Sequence, residues 1–116
     1  DDLVGNAKRL DPVMRRHLEE LGAKHPSVGL HRNIGLFGLL ELVNDPVKKT
    51  PMSPYNVTNE VMAAVNAKLL EKGLFTFVRW NVIHTNPPLS ITEEQLGEGF
   101  EIIDEALEIA DAAVGA

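Results

Sequence analysis

The sequence predicts an α+β domain, a small antiparallel or mixed sheet covered by helices. The first observation behind this is segment order: helix, strand, helix, hairpin, helix, with neither a parallel βαβ repeat nor a long all-β run. The second is residues 73 to 96, GLFTFVRWNVIHTNPPLSITEEQL, which read as a short hairpin, a Pro-Pro stop and a helix entry. The third is length: 116 residues make one domain, long enough to bury a core.

The first helix follows from Leu3, Ala7, Leu10, Met14, Leu18 and Leu21, an apolar stripe already in phase at the third residue. Such a start predicts a chain cut from a larger protein. Asp11-Pro12 could open a second helix, with Asp11 as cap and Pro12 at its first position. The stripe keeps its phase across the proline, so one kinked helix is expected, ended by a left-handed Gly22. Residues 27 to 43, SVGLHRNIGLFGLLELV, are apolar on both alternating faces. Ile34, Leu36, Leu40 and Leu42 fall on one face and Phe37, Leu39 and Val43 on the other, the pattern of a strand covered on both sides. Gly29, Gly35 and Gly38 mark either a bulge or a close backbone approach.

Residues 44 to 56 carry three prolines and no period, which predicts a long surface connection. A helix over 57 to 72 is expected from Val61, Met62, Val65 and Leu69, with Gly73 ending it. Leu74 to Val78 and Val82 to Thr85 then form the two arms of a hairpin turned at Arg79-Trp80-Asn81, and Pro87 and Pro88 stop the ladder. The last helix is the most sharply punctuated. Thr92 and Gln95 make a capping box, and Ile91 and Leu96 a hydrophobic staple. Leu96, Phe100, Ile103, Leu107, Ala110 and Val114 continue as one stripe.

Composition narrows the functional classes. A net charge of -6 disfavours phosphate backbones and anionic lipid, so neither nucleic acid nor membrane is an expected partner. No apolar run approaches the ~20 residues of a bilayer span. The absence of cysteine removes disulfides and thiolate chemistry and fits a reducing compartment, with cytoplasm as the expected location.

Candidate chemistry is sparse. The histidines at 17, 25, 31 and 84 lack the i, i+4 spacing of a helical metal site, so no metal is expected. His17 lies beside the first apolar stripe as a packing or boundary residue. His84 either lines a pocket or is buried and satisfied. The eight carboxylates after Arg79 read mostly as the solvated face of the last helix, with Glu93 and Glu94 favoured by its dipole. Arg79, beside Trp80 at the hairpin tip, has two readings. It presents a bidentate fork to a carboxylate or sulfonate, or it stacks on Trp80 or pairs with a glutamate.

Two segments together, LGAKHPSVGLHRNIGLFGLLELV and EKGLFTFVRWNVIHTNPPLSITEEQLGEGFEIIDEAL, resemble the C-terminal small domain of class III aminotransferases. These pyridoxal-phosphate enzymes include ω-amino acid and taurine-pyruvate transaminases. The resemblance rests on VG-x-x-R-x-x-G-L-F at Val28 to Phe37, on Pro87-Pro88-Leu89, and on the Thr-Glu-Glu-Gln-Leu helix entry. It covers nearly the whole chain.

The resemblance implies a fold type I transaminase, normally a homodimer, that moves an amino group between an amine or ω-amino acid and a 2-oxo acid such as pyruvate. Arg79 matches the arginine that many members place before the Pro-Pro segment to bind the substrate carboxylate. Some relatives carry it earlier, where this chain has Phe77. Trp80 and His84 are the accompanying candidates for lining the substrate pocket. Arg32 also matches a family position and is expected to be structural, held by backbone or by a carboxylate. Transamination needs a lysine that forms a Schiff base with the cofactor, and in this family it lies upstream. None of Lys8, Lys24, Lys48, Lys49, Lys68 and Lys72 has the family's lysine context. The expectation is therefore an aminotransferase parent and a segment that holds no catalytic or cofactor-binding residue and is inactive alone. A free-standing ligand-binding or regulatory module, or a dimerisation domain, is the alternative.

Overall fold

The computed structural model describes residues 2–53, 59–73 and 77–115, with Phe77 and Arg79 described by their backbone alone. Helix α1 spans Leu3–Lys24 without interruption. Asp2 caps it, its Oδ1 accepting from Gly5 N at 2.8 Å. Pro12 sits on an exposed side, and the helix continues through it and buries Leu10, Met14, Leu18 and Leu21. The end differs from expectation. Gly22 is helical, and the helix closes at His25, whose N–H reaches Leu21 O at 2.9 Å. The cause is Pro26, which pushes the preceding residue into extended backbone; His25 has φ -107° and ψ 115°. Gly22 serves packing instead, since a Cβ there would lie 2.7 Å from the His31 ring.

Residues 27 to 43 are not one strand. They form most of a hairpin, β1 Val28–Ile34 and β2 Phe37–Asp45, joined by Gly35-Leu36. Gly35 has φ +58° in the first central position and Leu36 does not, the signature of a type II′ turn that glycine alone enters without strain. Gly29 marks a bulge, where the register shifts between Val28 and Leu30 and Val43 packs within 2.5 Å of where a Cβ would stand. Gly38 is the close approach, filled by the Thr85 side chain. The turn also changes which face is covered. Leu40 and Leu42 enter the core, but Ile34 and Phe37 lie exposed on the opposite face, so among the described residues the sheet has helices on one side only.

The segment after β2 is more ordered than a plain loop. Asp45 Oδ1 accepts from Val47 N and Lys48 N, and the chain turns back into β3, Thr50–Pro51, paired antiparallel to β2. Met52 and Ser53 are buried. Residues 54–58 and 74–76 lie outside the described residues, so the expected helix start at 57 and the strand start at 74 are not described. Helix α2 is Glu60–Glu71, with Asn59 accepting from Met62 N at 3.0 Å as its cap.

Strands β4 Phe77–Arg79 and β5 Val82–Thr85 pair antiparallel, and β5 pairs with β2, which gives the order β1-β2-β5-β4. The sheet is wholly antiparallel. Helix α3, Glu93–Ala112, begins at the expected box, with Gln95 N on Thr92 Oγ1 and Thr92 N on Gln95 Oε1, both 3.1 Å. The core joins Met14 and Leu18 of α1, Leu40 and Leu42 of β2, Ile83 of β5, Met62 and Leu69 of α2, and Phe100, Ile103 and Leu107 of α3.

Candidate functional site

The β4–β5 hairpin is fixed from its tip. The two turn residues are Trp80 and Asn81, with Trp80 at φ +49°, so Arg79 closes strand β4 and is not itself in the turn. The sequence pattern alone does not separate a three-residue from a two-residue loop. Asn81 is buried and ties the tip to the neighbouring strand. Its Nδ2 donates to Leu42 O at 2.9 Å, and its own carbonyl accepts from Leu42 N at 2.7 Å. Leu42 O also accepts from Met52 N at 2.9 Å, so both of its lone pairs are used. A residue held this way cannot drift, and the backbone at positions 79 and 80 is placed with it.

Register then sets Arg79 opposite Val82 and Phe77 opposite His84. The His84 ring packs tilted against Phe37, centroids 6.1 Å apart. On the other side of β5, a cleft of about 180 Å³ opens between the strand end and α3, lined by Thr85, Pro87, Pro88, Ile91, Leu96 and Phe100 among others. Neither Trp80 nor His84 belongs to it. Thr85 Oγ1 is buried at this junction without a hydrogen-bond partner. His17 stacks on Phe100 at 4.8 Å, the packing role expected of it.

A polar cluster that the sequence did not suggest joins α1, β1 and α3. His25, 2% exposed, bridges two carboxylates, with Nε2 2.6 Å from Asp104 Oδ1 and Nδ1 2.5 Å from Asp111 Oδ2. Asp111 Oδ1 also accepts from Ser27 Oγ at 2.6 Å and Ser27 N at 3.2 Å, and Asp104 Oδ2 from Lys24 Nζ at 2.7 Å. Asp104 and Asp111 are seven residues apart, hence two turns along one helix face. These two carboxylates are exceptions to the mostly solvated face expected of the last helix. Partial burial pushes the Asp104 carboxyl up, but the hydrogen bonds from Lys24 and His25 outweigh it and hold the group below the usual carboxylate range. The Asp104 contact correspondingly raises the Lys24 ammonium. This cluster is a clasp, with each carboxylate already committed.

The backbone or carboxylate partner expected for Arg32 is not among the described residues. Arg32 is exposed on β1 and has neither a hydrogen bond nor an ion pair among the described residues. No group of three His, Asp or Glu among those residues is arranged to hold a metal, and no described helix is long and apolar enough to cross a membrane.

The lysines test whether pyridoxal phosphate could be held here. Lys8, Lys48, Lys49 and Lys72 are exposed, Lys24 is paired with Asp104, and Lys68 lies on α2 facing none of the described clefts. None is a desolvated amine in a cavity, which cofactor attachment requires. Among the described residues no lysine is placed for covalent attachment of the cofactor.

Comparison with known proteins gives a consistent result. The class III aminotransferase family matches residues 1–107. An uncharacterized aminotransferase of Sinorhizobium fredii is 30% identical over 98% of this chain, and a leucine/methionine racemase of Thermococcus litoralis is also 30% identical over 98%. Among solved structures, taurine:2-oxoglutarate aminotransferase from Bifidobacterium kashiwanohense, in complex with PLP and glutamate, superposes with a TM-score of 0.90 at 36% identity over 97% of this chain. The chain spans about a quarter of these proteins, 23%, 24% and 25% of their respective lengths. With its antiparallel sheet, one-sided helix layer and capped α3, the chain belongs to the class III aminotransferases.

Proposed function

We propose that this chain is the C-terminal small domain of a pyridoxal-phosphate-dependent transaminase that moves an amino group between an amine or ω-amino acid and a 2-oxo acid such as pyruvate. The likeness to taurine:2-oxoglutarate aminotransferase over 97% of the chain is the observation that carries this reading. The cofactor, when bound, supplies the electron sink for amino transfer and sits on the remainder of the polypeptide. The parent enzyme works as a cytoplasmic homodimer, and the domain by itself does not turn over.

Within this reading Arg79 receives the substrate carboxylate, with Trp80 and His84 lining the same pocket. Support comes from the hairpin: Asn81 locks its tip onto Leu42, so a guanidinium carried one residue before Trp80 starts from a fixed backbone position. A charge-assisted bidentate contact contributes about 2 to 3 kcal/mol. Arg79→Ala in the full-length enzyme is therefore expected to raise KM for the carboxylate-bearing substrate roughly 30- to 150-fold. Unchanged kinetics with both donor and acceptor would remove Arg79 from the site.

A further inference from the structure

His25 stands between two carboxylates, and an ionised carboxylate only accepts hydrogen bonds. Its Nε2 lies 2.6 Å from Asp104 Oδ1 and its Nδ1 2.5 Å from Asp111 Oδ2, so each contact needs a proton of its own. A neutral imidazole carries a single N–H, and its other nitrogen would turn a lone pair onto an oxygen at bonding distance. The ring is 2% exposed, so water does not come between the two acceptors. The arrangement therefore holds one proton more than a neutral ring and two ionised carboxylates.

The surrounding charges favour that proton. The charged groups of the elements packed here are Lys24 on α1 and Asp104, Glu108 and Asp111 on α3. Three carboxylates thus surround one ammonium. Ser27, at the corner before β1, brings only its hydroxyl and its N–H, both to Asp111. The last turn of α3 has no basic residue of its own, so a cation beside Asp111 also meets the negative end of that helix. The bonds join separate stretches of chain: Lys24 and His25 at the end of α1, Ser27 at the entry to β1, and both aspartates in the second half of α3.

We infer that His25, Asp104 and Asp111 form a proton-held clasp: the doubly protonated ring closes the end of α3 onto the α1–β1 corner, and alkaline pH opens it by removing that proton. With the proton gone, Asp104 or Asp111 must turn away from the bare ring nitrogen, and its bond to the corner breaks. Between pH 7 and pH 8 the ring is the group that changes charge, since carboxylates ionise well below this range and the ammonium of Lys24, raised by Asp104, well above it. A separated imidazole is mostly neutral above about pH 6.5, so the open clasp binds about one proton fewer than the closed one. The closed form is thus favoured at low pH, and opening becomes about tenfold easier with each pH unit of increase.

Hydrogen exchange in the full-length enzyme tests it, read by peptide mass spectrometry at pH 7 and pH 8 with exchange times corrected for the intrinsic pH dependence. Protection over residues 104–112 is expected to fall about tenfold in the wild type, while the α2 peptide Glu60–Glu71, which carries no member of the clasp, keeps its protection. Asp111→Asn is the discriminating variant. Its Oδ1 still accepts from Ser27, and its Nδ2 donates to the bare Nδ1 of a neutral ring, so protection over 104–112 should be equal at the two pH values. Wild-type protection that does not change with pH would overturn the inference, as would a fall of the same size in α2 or in Asp111→Asn. Protection already lost at pH 7 in Asp111→Asn would overturn it too, because a neutral ring should suffice there. The readout needs no turnover, so this inference stands or falls apart from the proposed amino transfer.

Discussion

Asp104→Asn is the sharpest perturbation of the clasp, because it keeps the side chain's shape and removes its charge. In the native chain Asp104 accepts from Lys24 at 2.7 Å and from His25 at 2.6 Å. The two contacts are unequal. Lys24 is well exposed, so solvent screens its ion pair and the contact adds little. His25 is buried, and a hydrogen bond between it and a charged acceptor contributes about 1.5 to 3 kcal/mol. Asp104 is itself 31% exposed, which argues for the lower half of the His25 range, about 1.5 to 2.3 kcal/mol at pH 7. With a urea slope of ~1.5 to 2 kcal/mol per molar, the midpoint should fall by about 0.8 to 1.5 M.

Acid supplies the internal control. The folded-state value of Asp104 is depressed, so its stabilisation is complete above the unfolded carboxylate value of about 3.9 and is lost as the pH drops through the folded value. Asparagine takes up no proton there. The gap between wild type and variant, measured by urea denaturation of the chain, should be full at pH 7 and narrow toward about pH 3. A midpoint shift below about 0.3 M at pH 7, or a gap that does not change with pH, would refute the account of the clasp.

Two further substitutions probe the hairpins. Asn81→Ala removes the bond to Leu42 O and should cost about 1 to 2 kcal/mol in urea denaturation. In the full-length enzyme it should also raise KM in the same direction as Arg79→Ala. Gly35→Ala meets no neighbouring atom within 4 Å, yet φ +58° strains any side-chain-bearing residue. It should lower stability by about 1 kcal/mol, and an unchanged melting temperature would show that the turn relaxes.

What the sequence revealed depended on how local the signal was. The capping box at Thr92, the Pro-Pro stop, and the α1 stripe through Pro12 are set by residues within a few positions, and the structure has them where the pattern puts them. The β1–β2 hairpin was hidden because a run apolar on both parities looks the same as a buried strand. Only the φ of Gly35 distinguishes a turn there. His25, Ser27, Asp104 and Asp111 were illegible for another reason: they meet across some eighty residues of sequence. The i, i+7 spacing of the two aspartates was the one available hint. Arg32 shows the reverse case, a residue for which a partner was expected within the domain and none of the described residues supplies one.

The proposed function makes this domain part of an enzyme of amino transfer whose covalent cofactor chemistry lies elsewhere in the polypeptide. The direct measurement is turnover by the full-length protein and by this 116-residue chain, each with pyridoxal phosphate, an ω-amino acid donor and pyruvate, following alanine formed. Cofactor-dependent alanine from the full-length protein and none from the chain alone is the expected result. Alanine from the isolated chain, or a full-length protein that only racemises amino acids, as the Thermococcus litoralis relative's name would suggest, would contradict the account.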